Sequence, residues 1–394
     1  MSVTVNKPLS YAKELFLSIT LVAQEISSDT VKEMKKDFGE SIIRNSVIRI
    51  LKSKGYIQKV GKSSDYGYVL TGDGYDYVRI KMPDKFPYHI FQFPTHIYDR
   101  ARRVKRRQMS MVLYNLYREG VSFGNHLTDL DAIISGEPAE ITAPFFVTQR
   151  EIRQSNSYLG TAYGTRLFGV IVTQTKIIIV YAPSKIKNLY ARTENAFYKS
   201  IKCTFSYAAP PYNLPANIEY IYFYMTDEDV IDSFSETGKR NVHSASTYRM
   251  YCKSILKQLY IYRMNVSSFR LSDIFDMDKR NAIDAVFTEY YEVQPRALQD
   301  KYDKHICGYY RNTDIPVFML WDLSPSALVS AIDYTHRTGF GIDGKVYLMC
   351  FEEDSGLIAD ILNTDRHLAK HFAICDLPYH EVKQYINGEI ACID

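Results

Sequence analysis

The sequence predicts a mixed α/β protein in which a small, mainly helical module with one β-hairpin precedes a larger domain of alternating strands and helices. Three observations predict it. Residues 40–81, ESIIRNSVIRILKSKGYIQKVGKSSDYGYVLTGDGYDYVRIK, pass from a helical period through two short β-rich runs and back to a helix. Residues 166–181, RLFGVIVTQTKIIIVY, hold two β-branched runs joined by Thr173-Gln174-Thr175, a central hairpin. From Pro316 to Ile386 strand and helix patterns alternate, which favours right-handed crossovers and a parallel or mixed sheet. A chain of 394 residues is too long for one ordinary core. The division expected is a module over 1–82, a linker and basic helix over 83–120, and an α/β domain over 121–394.

Within the module, helical patterns cover 10–27 and 28–38. In the third helix Ile43, Val47, Ile50 and Leu51 lie on one side of the helical period, while Arg44, Asn45, Arg49 and Lys52 project elsewhere. The apolar side can pack and the polar side can meet phosphate. Gly55 suits the left-handed residue at which helices commonly end, so this helix stops near residue 54. Two extended runs, 56–60 and 66–70, flank the polar turn Gly61-Lys62-Ser63-Ser64-Asp65, with Lys59 and Lys62 near its tip. Thr71 can then cap a closing helix.

Residues 83–97 contain Pro83, Pro87 and Pro94 among aromatics, a linker with groups able to dock. A further helix over 98–119 joins a cationic half to Met109, Val112, Leu113, Leu116 and Tyr117 at core spacing. Six of the eight residues from Arg100 to Arg107 are Arg or Lys. That half is either a solvated face or a phosphate contact. Beyond the hairpin come a strand over 218–225, a helix over 227–234 capped by Thr226, helices over 248–260 and 279–291, and an extended or irregular stretch over 266–271. The C-terminal alternation reads strand 316–321, helix 326–336, strand 345–351, helix 356–362, strand 371–375 and helix 379–386.

Composition bounds the class. With 46% hydrophobic and 24% charged residues the chain is of soluble globular type, and it has no apolar run of the ~18 residues that would span a bilayer. No basic-then-apolar leader opens it, so a cytoplasmic protein with no membrane partner is expected. The net charge of +3 is weak evidence for a polyanion partner, because it averages an uneven distribution. Cys203, Cys252, Cys307, Cys350, Cys375 and Cys392 contain no CxxC pair, so neither a zinc ribbon nor a dithiol site is indicated and reduced thiols are expected. The 33 tyrosines are spread through strands and helices and read as packing.

Chemistry-bearing patterns are sparse. Glu352-Glu353-Asp354 and Asp322 each follow a strand, where carboxylates could share a divalent cation. Against this, Asp354 before Ser355-Gly356 suits a helix cap, and Ser324-Pro325 suits a helix start. His367 and His371 are four apart, but Leu368 stands where a zinc-protease helix needs Glu. Phosphate-loop, nucleophile-elbow and dinucleotide fingerprints do not occur, and Gly339-Phe340-Gly341 reads as a turn. No cofactor or metal is expected.

The order helix, helix, helix, hairpin, helix, and the spacing in VIRILKSKGYIQKV and YVLTGDG, resemble the winged helix-turn-helix modules of bacterial DNA-binding proteins. In such a module one helix enters the major groove while flanking cations neutralise phosphate. With RRQMSMVLYNLYREG and RLFGVIVTQTKIIIVYA added, the chain resembles the replication-relaxation family of plasmid and conjugative-element proteins. That resemblance implies a DNA-binding accessory protein of a mobile element, with a second domain similar to restriction-endonuclease folds. Such nucleases need an acid on one strand and an acid-x-Lys on the next. Here the second strand of the hairpin carries Ile177, Ile178, Ile179 and Val180, and Glu151 and Glu194 are isolated, so a silent domain is expected.

The function expected is duplex-DNA binding, with Arg44, Asn45 and Arg49 approaching bases. Lys52, Lys59, Lys62, Arg100, Arg102, Arg103, Lys105, Arg106 and Arg107 would meet phosphate. The alternatives are a metal-dependent nuclease built on Asp322 and 352–354, or a scaffold for a relaxase or replication partner. A homodimer on two half-sites would suit the module, although the sequence shows no dimer seam.

Overall fold

The computed structural model describes residues 9–62, 65–85, 98–137, 141–154, 167–181, 191–214, 217–224, 226–234, 259–264, 269–295, 306–311, 313–337, 345–364 and 369–393. The fold is mixed α/β. It divides into two compact units: 1–163 with 167–177 and 200–215, and 164–166 with 178–199 and 216–394.

The first unit opens with α1 (Leu9–Ala23), β1 (Ile26–Ser27) and α2 (Ser28–Phe38). α1 is shorter than the helix expected over 10–27. The chain leaves it at Gln24, with φ +66°, and Ile26–Ser27 become a strand. Ser27 caps α2, its hydroxyl accepting from Thr30 N at 3.0 Å. Next comes α3, a π-helical stretch Ile42–Ile48 running into α-helical Arg49–Ser53. β2 (Ile57–Val60) and β3 (Gly67–Leu70) form the hairpin, in register from Ile57 opposite Leu70 to Val60 opposite Gly67. β1 adds to β3, with Ile26 opposite Tyr68, giving a three-stranded antiparallel sheet in the order β1-β3-β2. A two-residue strand carries no periodicity of its own, so the sequence did not show it. α4 (Gly72–Lys81) starts at Thr71, whose hydroxyl accepts from Gly74 N at 3.1 Å, as the cap expectation required.

α5 (Arg100–Arg118) belongs to the same unit. Asp99 caps it through Arg102 N at 2.9 Å, and every residue from Ser110 to Leu116 is buried. A helical stretch buried all round is a core segment. It packs on α1, α2 and β1. Ser110 Oγ accepts from Ser27 N at 3.1 Å and lies 2.9 Å from Thr30 Oγ1, and Tyr114 OH donates to Asp37 at 2.6 Å. The compact unit therefore continues well past residue 82. Of the expected linker, Pro83–Lys85 form a 3-10 turn, and 86–97 lie outside the described residues.

The unit is completed by β4 (Ser122–Phe123), α6 (Leu127–Ile134), β5 (Phe145–Thr148), α7 (Gln149–Gln154) and β6 (Leu167–Val172). β4 runs parallel to β5, and β5 antiparallel to β6. After β6 the turn at 173–176 is closed by Thr173 N donating to Lys176 O at 3.0 Å, and β7 (Ile177–Tyr181) follows as expected.

α8 (Ala191–Phe205) is divided between the units at residue 200. In the second unit β8 (Ile218–Tyr224) is buried throughout, and α9 (Asp227–Phe234) begins beside Thr226, whose hydroxyl accepts from Asp229 N at 3.2 Å. β9 (Leu259–Arg263) runs parallel to β8. It replaces the end of the helix expected over 248–260; residues 248–258 lie outside the described set. Buried on every position, β9 shows no alternation, and such a run cannot be told from a helix by period. Leu271, expected to be extended or irregular, begins α10 (Leu271–Phe275), and α11 (Met277–Tyr290) follows.

β10 (Val293–Pro295), β11 (Ile306–Tyr310), β12 (Pro316–Met319), β13 (Val346–Phe351) and β14 (Phe372–Leu377) form a mixed sheet in sequence order. The β10-β11-β12 pairings are antiparallel and the β12-β13-β14 pairings parallel. α12 (Pro325–Arg337) and α13 (Glu352–Asn363) are the crossovers, and α14 (Tyr379–Ile386) has the bounds expected. α13 starts four residues before the expected 356, because Glu352, Glu353 and Asp354 form its first turn, where carboxylates face the positive end of the helix dipole.

Candidate nucleic-acid interface

α3 presents its polar side to solvent. Arg44, Asn45, Arg49 and Lys52 are exposed, while Ile43, Val47 and Leu51 are 0–1% exposed. Ile50 departs from expectation: it is 37% exposed, and Ile48 takes its place in the core. Arg49 N–H donates to Arg44 O, five residues back, and this wider turn rotates Ile48 inward and Ile50 outward. Asn45 Nδ2 reaches Ser41 Oγ at 3.4 Å. Lys54 is exposed at the end of the helix and Gly55 has φ +71°, the left-handed residue expected there.

The hairpin carries Lys59 and Lys62, both exposed. Lys59 Nζ lies 4.1 Å from the Tyr66 ring centroid, a cation–π contact that holds the ammonium over the strand. Asp65, the acid of the turn, is drawn toward α5 by Arg107 and, at 3.8 Å, by Arg103.

The basic run of α5 is split by its helical period. Arg100, Arg102 and Lys105 are exposed. Arg103 is 8% exposed and makes a forked contact with Glu25, itself wholly buried, at 2.8 and 3.2 Å. Its Nη2 also donates to Asp65 O at 3.1 Å and Val60 O at 3.4 Å. Arg107 pairs with Asp65 and lies 3.8 Å from Asp29. Arg106 is half-buried; burial lowers its guanidinium pKa, against the opposing pull of Glu25 and Tyr75. The expectation that Arg103 meets phosphate is thus corrected: a guanidinium enclosed by a carboxylate and two carbonyls faces the interior. Arg107 is only partly buried, and its guanidinium is taken up by the exposed Asp65 carboxylate. Glu25, a lone acid in the apolar context LVAQEIS, was the missed signal, since a charge so placed needs a partner when buried.

Carboxylates of the second unit are also paired. Asp322 accepts from Ser324 N at 3.0 Å and lies 3.4 Å from Arg280. Arg280 also contacts Tyr260 OH at 2.5 Å and Glu219 at 3.5 Å. Burial pushes Asp322 up to about 6 against the pull of Arg280. Burial alone would lower Arg280, but Tyr260, Asp322 and Glu219 together raise it. Asp354 does not cap the helix as expected; it is wholly buried and 3.1 Å from Arg263. Glu353 accepts from Tyr379 N at 3.3 Å. Among the described residues no group of three or more His, Cys, Asp or Glu is placed to hold a metal ion. Glu151 is part of a capping box at α7: Thr148 N donates to its carboxylate at 2.7 Å and its own N–H donates to Thr148 Oγ1 at 3.2 Å. The side chain of Glu194, His367 and Gly339-Phe340-Gly341 lie outside the described residues. Burial pushes the Cys307 thiol up to about 12 and Cys375 to about 11, which disfavours thiolate chemistry at both.

No family model, curated protein or solved structure was found to match this chain.

Proposed function

We propose that this protein binds duplex DNA, with α1 to α4 and the β1-β3-β2 sheet acting as a winged helix. The observation that carries the reading is the charge of the outer surface: Arg44, Arg49, Lys52, Lys54, Lys59 and Lys62 are exposed on α3 and the hairpin, while Asp65 is turned to arginines of α5. A helix of this kind fits the major groove, with Arg44, Asn45 and Arg49 at base edges and the lysines at phosphate. Arg100, Arg102 and Lys105 supply further phosphate contacts, with half-buried Arg106 beside them; Arg103 is buried and Arg107 is engaged by Asp65, so neither is counted in that surface. The resemblance of VIRILKSKGYIQKV, RRQMSMVLYNLYREG and RLFGVIVTQTKIIIVYA to the replication-relaxation family supports an accessory or regulatory role in a mobile genetic element, alongside a relaxase or replication partner.

The test is selection of bound duplexes from a random pool with the full chain, followed by titration of the selected site. A recurring sequence motif, with affinity that falls as salt rises, is the expected result. Absence of binding to any duplex at low salt overturns the proposal.

A further inference from the structure

We infer that Arg103 is a positioning residue: it sets the wing from behind, so that Lys59 and Lys62 meet phosphate only while the Arg103 fork is in place. The inference rests on the winged-helix reading above.

One guanidinium joins three chain segments. Two of its nitrogens reach Glu25, in the connection between α1 and β1, and one of them continues to Val60 O, the last residue of β2, and Asp65 O, just before β3. The wing is therefore held at both of its stems by a side chain from a helix some forty residues later. Arg107, one helical turn on, pairs with the Asp65 carboxylate and so holds the same stem through its side chain.

The turn is shaped around this contact. Gly61 has φ +87°, and a Cβ built on it would lie 2.6 Å from the Arg103 guanidinium and against Asp65 O. Only glycine leaves both the dihedral and the space the fork occupies. Lysine could not replace the fork, because one ammonium cannot present two parallel N–H groups to Glu25 and a third to a carbonyl.

A hairpin of two four-residue strands is marginal by itself. β1 supports β3, but β2, which carries Lys59 and leads to Lys62, has β3 as its strand neighbour on one side and lies at the edge of the sheet. The carbonyl of Val60 on that edge strand is where Arg103 takes hold. Loss of the fork frees the edge that carries the lysines.

The experiment uses the full chain with the paired variant Glu25→Gln/Arg103→Met, which removes both members of the buried pair together. Hydrogen exchange reads the wing without DNA. Amides 57–60 and 67–70 should exchange at least tenfold faster than in wild type, while those of Ile48 and Leu51 are unchanged. The salt dependence of binding to the selected duplex reads the lysines. The variant should lose about two charges of slope, as Lys59→Ala/Lys62→Ala does, and combining all four changes should cost no more slope than either pair alone. Wing protection that survives in the paired variant, or a slope loss that adds fully across the two pairs, overturns the inference. If wild type binds no duplex but the wing loosens, the DNA reading falls and the positioning of the wing stands.

Discussion

Ile50 and Leu51 are adjacent and chemically alike, yet the structure gives them opposite roles. Leu51 is 1% exposed and Ile50 37% exposed. Leu51→Ala should cost about 2–5 kcal/mol of unfolding free energy through lost burial and the cavity left behind. Ile50→Ala should stay within about 0.5 kcal/mol. Urea unfolding of the two variants checks the rotation of α3: equal losses would refute it. Gly61→Ala should lower the stability of the first unit by more than about 1 kcal/mol, seen as a lower melting temperature, because it meets both a positive φ and the Arg103 contact. At this scale the sequence was half legible. Arg44, Asn45, Arg49 and Lys52 were readable as an outer face because helical period separates them from Ile43 and Val47. Arg102 and Arg103 were not distinguishable, since a cationic run shows charge and spacing but not where a buried carboxylate such as Glu25 will lie.

At the scale of elements, α3 and α5 should affect DNA binding differently. Arg49→Ala should weaken the selected site by about 1–3 kcal/mol and relax its sequence preference. Arg100→Ala/Arg102→Ala/Lys105→Ala should weaken all duplexes alike and reduce the salt slope by up to about three charges. Anisotropy titrations of selected and scrambled duplexes across a salt series separate the two patterns; identical behaviour would contradict the proposed division between base and phosphate contacts.

β12, α11 and β8 meet around Asp322, Arg280 and Glu219, and there the consequence is pH dependence. Asp322 has its pKa raised to about 6 by burial. A carboxyl raised on folding contributes stability that is complete below its unfolded pKa, near 3.9, and is lost as pH rises through the folded value. Stability of the wild type relative to Asp322→Asn should therefore fall between pH 4 and 6, by on the order of 2–3 kcal/mol. Parallel unfolding curves for the two proteins over that range would rule it out. Strand-helix alternation revealed the elements carrying these groups, apart from β9. No local pattern showed that their charged side chains would converge.

At the scale of the molecule, the consequential difference is the extent of the first unit. A boundary at 82 looked natural because the module closes with a capped helix and prolines follow. In the structure α5 supplies the partners of Glu25, Ser27 N and Thr30 Oγ1, and its buried half lies against α1, α2 and β1. A fragment of residues 1–82 should accordingly show no cooperative thermal transition by circular dichroism, whereas the full chain does. A sharp transition in the fragment would show that α5 is dispensable.

By itself the sequence determined the mixed α/β class, the order of most elements, the hairpins and the cationic face of α3, because those follow from local period, turn chemistry and capping. Only the tertiary structure decided which arginines of α5 face outward, that two residues before α2 form a strand, and that β9 is a strand. Each of those outcomes depends on a partner distant in sequence: Glu25 for Arg103, Tyr68 for Ile26, and β8 for β9. The cost of leaving a buried charge or backbone group unpaired, rather than any local preference, selects among them.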